Sequence, residues 1–360
     1  MSLQASFFKK TFHFSFQART SRGSMTKKDS WFLKVWDPKN PESFGIGEAG
    51  PLAGISLEKP EEVELQLTEV VSRISKINAR HQLQSLHEIH DFFRSSTLSS
   101  SVLFALETAM LDLKNGGTRM IYQNNFLAGE RLPINGLIWM GGLDVMLQQV
   151  SIKLYEGFSC IKLKIGGINF EKELDILQFI RRKYFRDIVT IRLDANGSFK
   201  PEDALYKLLD CSRYDIHSIE QPVKPGSPIL PELCKKSPIP IALDEELVGV
   251  VNKQKKIELL ERIQPPFVIL KPSLHGGLLG CEEWIALAEE RKIGWWITSA
   301  LESNIGLNAL AQFTANYPVT THQGLGTGSI YNNNIASPLE VRKGTLVYNS
   351  QENWDLSELN

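Results

Sequence analysis

The chain has 360 residues, more than one hydrophobic core usually serves, so two domains or one large domain with an appendage is the expectation. With 42% hydrophobic and 22% charged residues it is not a disordered chain, and 40 Lys+Arg against 41 Asp+Glu leave a formal charge of −1. That balance gives no footprint for nucleic acid or an anionic membrane surface, and no apolar run reaches the length of a membrane span. The four cysteines, Cys160, Cys211, Cys234 and Cys281, lie far apart without CxxC spacing and read as free thiols of a cytoplasmic protein.

The first 130 residues read as an α+β unit. Strand-like pieces at Thr11 to Gln17 and Trp31 to Trp36 precede a Gly/Pro-punctuated loop from Phe44 to Ile55. Helical stretches follow at Leu65 to Ile77 and Phe104 to Leu113. A different rhythm begins at Pro133. Short apolar runs recur at Ile134–Ile138, Cys160–Leu163, Val189–Leu193, Ile216–Ile219, Ile239–Leu243, Phe267–Leu270, Trp295–Thr298 and Val319–Thr321. Amphipathic stretches lie between them, with stripes such as Leu174, Leu177, Ile180 and Leu205, Leu208, Leu209. Eight such units over about 190 residues predict an α/β fold, a parallel (β/α)-type barrel behind an N-terminal α+β cap. A doubly wound open sheet is the alternative. The expected division is cap 1–130, barrel 131–330, and a segment 331–360 that returns to the cap.

The strand ends carry the chemistry. Lys162 and Lys164 share one face of the second run. Asp194, Glu220, Asp244 and Lys271 end the next four, at intervals from Lys164 of 30, 26, 24 and 27 residues. Each interval is about one βα unit, so five successive strands deliver a charge to the face where barrel enzymes hold their active sites. Taken singly, Asp194 or Asp244 is as well explained as a helix N-cap, and a lone lysine as a rim residue. Two lysines in a barrel interior, however, need facing anions, and the three carboxylates supply them. Three converging carboxylates without His or Cys form an oxygen-rich site for a hard divalent cation, best Mg²⁺, with Mn²⁺ as the substitute. Flanking Lys164 and Lys271 suit acid–base work, Lys162 and the metal lowering the pKa of Lys164. Proton abstraction alpha to a carboxylate, giving an enediolate, is the matching reaction. His87-Glu88-Ile89-His90 lacks zinc spacing and reads as a solvated helix face; His275 reads as a solvated loop residue.

Lys-x-Lys, Asp, Glu, Asp and Lys on successive strands behind a cap resemble the enolase superfamily, muconate-lactonising subgroup, over almost the whole chain. The resemblance implies a modified (β/α)7β barrel. It implies Asp194, Glu220 and Asp244 as Mg²⁺ ligands and Lys164 and Lys271 as the acid–base pair, with Lys162 beside the substrate carboxylate. Asn196 and Glu245 are implied as residues that orient the ligands and a lysine. Within the subgroup, Gly47 to Gly54, Ser299 to Gly306 and Arg19 to Gly23 are similar to segments of the o-succinylbenzoate synthase family. That family dehydrates a succinyl-hydroxycyclohexadiene carboxylate in menaquinone biosynthesis, so the implied partner is a small carboxylate substrate. Ser21, Arg22, Trp139, Ser299 and Gly324 are the expected substrate contacts. Dipeptide epimerases of the subgroup carry Asp-x-Asp on the eighth strand; here His322-Gln323-Gly324-Leu325-Gly326-Thr327-Gly328 holds no carboxylate. An N-acylamino acid racemase or a cycloisomerase is the alternative activity. Nothing in the pattern separates a monomer from a homo-oligomer.

Overall fold

A computed structural model of the chain describes residues 2–20, 23–80 and 83–359. Strands β1 (Gln4–Thr20), β2 (Gly23–Trp36) and β3 (Phe44–Ala49) form an antiparallel sheet. Helices α1 (Pro60–Ile74), α2 (Leu86–Phe93) and α3 (Ser100–Lys114) complete the N-terminal unit. The stretch expected as a loop from Phe44 is thus a strand through Ala49. Its glycines serve close packing: a Cβ on Gly45 would sit 1.9 Å from Ala109 O, and one on Gly47 1.9 Å from Ala105 O, both on α3. Trp31, Leu33, Val63, Leu67 and Val102 belong to the core of this unit.

After β4 (Leu132–Pro133), strand and helix alternate: β5 (Gly136–Ile138), α4 (Leu143–Tyr155), β6 (Cys160–Lys164), α5 (Phe170–Lys183), β7 (Thr190–Asp194), α6 (Pro201–Ser212), β8 (Ile216–Glu220) and α7 (Leu230–Lys236). The series continues with β9 (Ile241–Leu243), α8 (Lys253–Ile263), β10 (Phe267–Leu270), α9 (Gly277–Glu290), β11 (Gly294–Ile297) and α10 (Asn304–Thr314). The helices form where the pattern asks. In α5, Asn169 accepts from the Glu171 amide at 2.9 Å, Ile176, Leu177 and Ile180 are buried, and Arg181, Arg182 and Lys183 face the C-terminal dipole. In α6 the expected stripe is corrected at Leu209, which is 51% exposed, Ala204, Leu208 and Cys211 taking the inward face.

Strands β5 to β11 make one parallel sheet in chain order. It closes without an eighth regular strand: Gln323 bridges Ile134 and Gly324 bridges Thr298, both in parallel sense. The run expected as a strand at Val319–Thr321 lies outside any strand, and the closing contacts fall two residues later. The result is a (β/α)7β barrel, not an open sheet. Beyond it, Ser15 N donates to Ile330 O at 2.9 Å and Asn332 N to His13 O at 3.0 Å, tying this stretch to β1. Strands β12 (Leu339–Arg342) and β13 (Thr345–Tyr348) join β4 in a second small sheet.

Candidate active site

Parallel pairing in register places Lys164 beside Asp194 and Asp194 beside Glu220, so adjacent strand ends hold these groups at one height. Asp244 follows β9 and Lys271 follows β10. All six charged groups are buried, including Lys162 one layer below Lys164. Asp194 begins no helix: α6 has Lys200 at its N-cap, α8 has Asn252, and the short turn after Asp244 takes no side-chain cap from it. The helix-cap explanation therefore fails at both positions.

The charges pair as they converge. Lys164 Nζ lies 2.6 Å from Asp194 Oδ2, and Lys162 Nζ lies 3.0 Å from the same oxygen while also donating to Glu220. Lys271 Nζ donates to both oxygens of Asp244, at 2.7 and 2.6 Å. One oxygen each of Asp194, Glu220 and Asp244 fall within 4.8 Å of one another. Glu220 Oε1 is buried and has no hydrogen-bond partner among the described residues. An all-oxygen donor set with an unsatisfied carboxylate oxygen fits a hard dication such as Mg²⁺.

The electrostatics divide the two outer lysines. Burial lowers the pKa of Lys164, with Lys162 adding to the effect against the pull of Asp194. Burial also works against the Lys271 ammonium, but Asp244 and Glu245 outweigh it and hold that group cationic above the ordinary lysine range. Burial pushes Glu220 up to about 8, Lys162 pulling against it and Asp194 and Asp244 adding to it. Asp194, despite its burial, is held below the usual carboxylate range by Lys164 and Lys162.

Asn196 sits at φ 47°, a left-handed conformation that asparagine tolerates better than most residues. From there its Nδ2 donates to Glu245 Oε1 at 3.0 Å, which fixes the amide so that Oδ1 accepts from Lys164 at 2.9 Å. His275, expected in solvent, is 1% exposed. Its Nδ1 accepts the Lys271 amide at 3.0 Å, and burial lowers its pKa to about 3, so it is the neutral ring that anchors the Lys271 backbone. His90 likewise leaves the solvated face expected for it and meets the buried Glu107 at 2.6 Å.

A cavity of about 380 Å³ lies over these groups, with Lys162, Lys164, Asn196 and Lys271 at its floor. Trp139, Ser299 and Gly324 line it as expected; Ser21 and Arg22 lie outside the described residues, although Thr20 and Gly23 on either side reach the cavity. Leu52 to Gly54 of the cap and Leu301 and Thr327 of the barrel, which fall in the segments singled out above, also line it, as do Ile55, Asn135 and Thr298, which sequence reasoning missed. Asn135 Oδ1 and Thr298 Oγ1 are buried without hydrogen-bond partners among the described residues. Single neutral polar residues carry no spacing signal. Only the position of Thr298 beside Ser299 pointed here.

Residues 146–351 match the Enolase C-terminal domain-like family. An o-succinylbenzoate synthase of Desulfotalea psychrophila is 42% identical over 351 residues, 91% of this chain and 94% of that protein. The chain belongs to the o-succinylbenzoate synthase family of the enolase superfamily. The crystal structure of MenC from the same organism superposes with TM-score 0.87 at 38% identity, covering 96% of this chain and all of that one. A dipeptide epimerase of Enterococcus faecalis, solved with Mg and the dipeptide L-Leu-L-Tyr, shares the fold at TM-score 0.85 and 20% identity over 99% of both chains. Membership of this family makes the chain an enzyme that acts on a small molecule. Among the described residues no helix is long and apolar enough to cross a membrane.

Proposed function

We propose that the chain dehydrates 2-succinyl-6-hydroxy-2,4-cyclohexadiene-1-carboxylate to 2-succinylbenzoate, the o-succinylbenzoate synthase step of menaquinone biosynthesis. The 42% identical relative supports the reaction class. The observation that carries the choice over an epimerase of free dipeptides is the cavity wall: Gly324, Gly326 and Thr327 stand there, and no carboxylate lines the cavity among the described residues. A substrate ammonium has no partner in it, whereas an acyl tail does not need one.

Asp194, Glu220 and Asp244 are the residues to hold Mg²⁺, which when bound supplies positive charge beside the substrate carboxylate. Lys164, whose ammonium is destabilised by burial, takes the ring proton alpha to that carboxylate. The ring C–H bond breaks, the C–O bond to the hydroxyl breaks, and Lys164 returns its proton to the departing oxygen on the same face. Water leaves and the ring becomes aromatic. Lys271, four strands away across the barrel and held cationic by Asp244, stabilises the developing negative charge from the other side. Lys162 faces the substrate carboxylate and keeps Lys164 easier to deprotonate. Glu245 and Asn196 hold Lys164 in place. Asn135 and Thr298, with unsatisfied oxygens at the cavity, and Ser299 and Gly324 are proposed contacts of the succinyl tail. Trp139, Ser21 and Arg22 are proposed as further substrate contacts. The division into cap 1–130, barrel 131–330 and returning segment 331–360 belongs to the same reading. Four free cysteines fit a cytoplasmic location.

A racemase of N-acylated amino acids is the second reading, because Lys164 and Lys271 both reach the cavity and an acylated amine needs no carboxylate partner. Following the absorbance of the aromatic product separates the two. Dehydration that disappears on chelation and returns with Mg²⁺ supports the first. Solvent deuterium in recovered N-acylamino acid without any dehydration supports the second, and dehydration undiminished after complete metal removal refutes the mechanism.

A further inference from the structure

Two carboxylates of the N-terminal unit are fully buried at helix starts of the barrel. Glu107 on α3 accepts from the Leu278 and Leu279 amides at the start of α9, the second at 3.1 Å. Glu48 on β3 accepts from the Ser303 amide at 3.0 and 2.9 Å, the Ser303 hydroxyl at 2.6 Å and the Gly306 amide at 3.1 Å, all at the start of α10. Free amides and the helix dipole make both places favourable for a negative charge.

The two differ in what lies next to them. Glu48 is four residues before Leu52, where the cap loop begins to line the cavity. On the barrel side, Glu302 precedes Ser303 and accepts from the Ser299 hydroxyl at 2.5 Å; Ser299 in turn accepts from Thr327 at 2.9 Å, and both line the cavity. Between them Leu301, also on the cavity wall, is held at φ 64°, an unfavourable angle for a leucine. Its amide donates to Ser299 Oγ at 3.0 Å and its carbonyl accepts from Tyr331 at 2.7 Å. Gly306 has no room for a side chain, since a Cβ would lie 2.7 Å from Glu302 Cβ and 3.0 Å from Glu48 Oε2.

We propose that Glu48 is a positioning residue for substrate binding, one that locks the cap loop 52–55 and the wall segment 299–301 together as one rigid edge of the cavity. Glu107 fastens the same two units at α9, away from the cavity, and serves stability alone. The kinetic part of this proposal rests on the dehydratase reading; the exchange part does not.

The test compares Glu48→Gln, the milder Ser303→Ala and Glu107→Gln in the full chain, by hydrogen exchange and by steady-state dehydration. Glu48→Gln is expected to speed amide exchange about tenfold or more in both 50–56 and 299–306. It should also raise KM about tenfold with kcat within about threefold, Ser303→Ala giving a smaller shift of the same kind. Glu107→Gln should lower the Tm and leave KM at the wild-type value. Unchanged exchange in 299–306 in a folded Glu48→Gln or Ser303→Ala protein overturns the proposal, as does an equal KM rise in Glu107→Gln. Absence of turnover by the wild type would refute the dehydratase reading and leave exchange to decide the role of Glu48.

Discussion

Lys271→Met separates the two roles of the buried ion pairs. Lys271 Nζ occupies both oxygens of Asp244, at 2.7 and 2.6 Å, and a cation bound by Asp244 takes at least one of them. A hydrogen bond to a charged group contributes roughly 1.5–3 kcal/mol, and each 1.4 kcal/mol is about tenfold in affinity. Removing the ammonium with an uncharged chain of similar length is therefore expected to tighten Mg²⁺ binding about 10- to 100-fold. Dehydration should fall by about 10²–10³, the cost of losing one preorganised charge beside the developing anion. Titration calorimetry with Mg²⁺ at fixed pH measures the first, product absorbance the second. Tighter metal and slower chemistry in one variant is a combination that general misfolding does not produce. Mg²⁺ affinity equal to or below that of the wild type refutes the reasoning, because it means Asp244 does not exchange its lysine for the metal.

Lys164→Met is expected to lose about 10²–10⁴ in kcat. Its Tm should stay within a few degrees of the wild type; activity within tenfold of the wild type removes Lys164 as the base. Gly324→Ala places a Cβ 2.5 Å from Thr298 Oγ1 and 2.8 Å from its Cγ2, so the cavity wall must shift. It should raise KM with a cost of about 1–3 kcal/mol, and an unchanged KM refutes a tail contact there. For His275 the folded pKa of about 3 lies below the ordinary 6.5, so the unfolded chain binds the extra proton and stability falls as pH drops from 6.5 towards 3. At pH 5 that loss is about 2 kcal/mol, or roughly 2–3 °C in Tm for a chain this long, and His275→Asn should escape it; parallel Tm–pH curves refute it.

The parts legible in the sequence were those set by period and by charge. Apolar runs about one βα unit apart located seven strands, and the six charged groups carried at five strand ends converge within the barrel as their spacing required. Glycine misled at β3, where Gly45 and Gly47 mark contact with α3, not a turn. The closing segment escaped because barrel closure needs only two bridges, at Gln323 and Gly324, and these leave no apolar run to read. His275 and Glu48 were illegible for a different reason. Their partners are largely backbone amides, of Lys271 in one case and of Ser303 and Gly306 in the other, and backbone groups leave no trace in residue identity; the serine hydroxyls that also donate to Glu48, of Ser30 and Ser303, are distant in sequence and carry no spacing signal.

The local charge count bears on the substrate as well as on the catalytic roles. Three lysines and three carboxylates sum to zero, and Lys164, Lys162 and Lys271 each lie within 3.0 Å of a carboxylate oxygen, which is what lets a buried cluster persist. Adding a dication to such a site leaves two positive charges in excess, and in a buried site excess charge is costly. Lys164 sheds one of the two when it serves as the base, and the substrate carboxylate beside the metal cancels the other, so the loaded site sums to zero with one carboxylate and sets no demand for a second. A second carboxylate meets no Lys or Arg on the far wall among the described residues, only neutral groups at Asn135 and Thr298, since the Ser299 and Thr327 hydroxyls already donate to Glu302 and to Ser299. A succinyl tail is therefore expected to be held at this wall by hydrogen bonds. Selectivity for the tail then resides in the shape and hydrogen bonding of the wall segments that the cap holds in place, and not in charge.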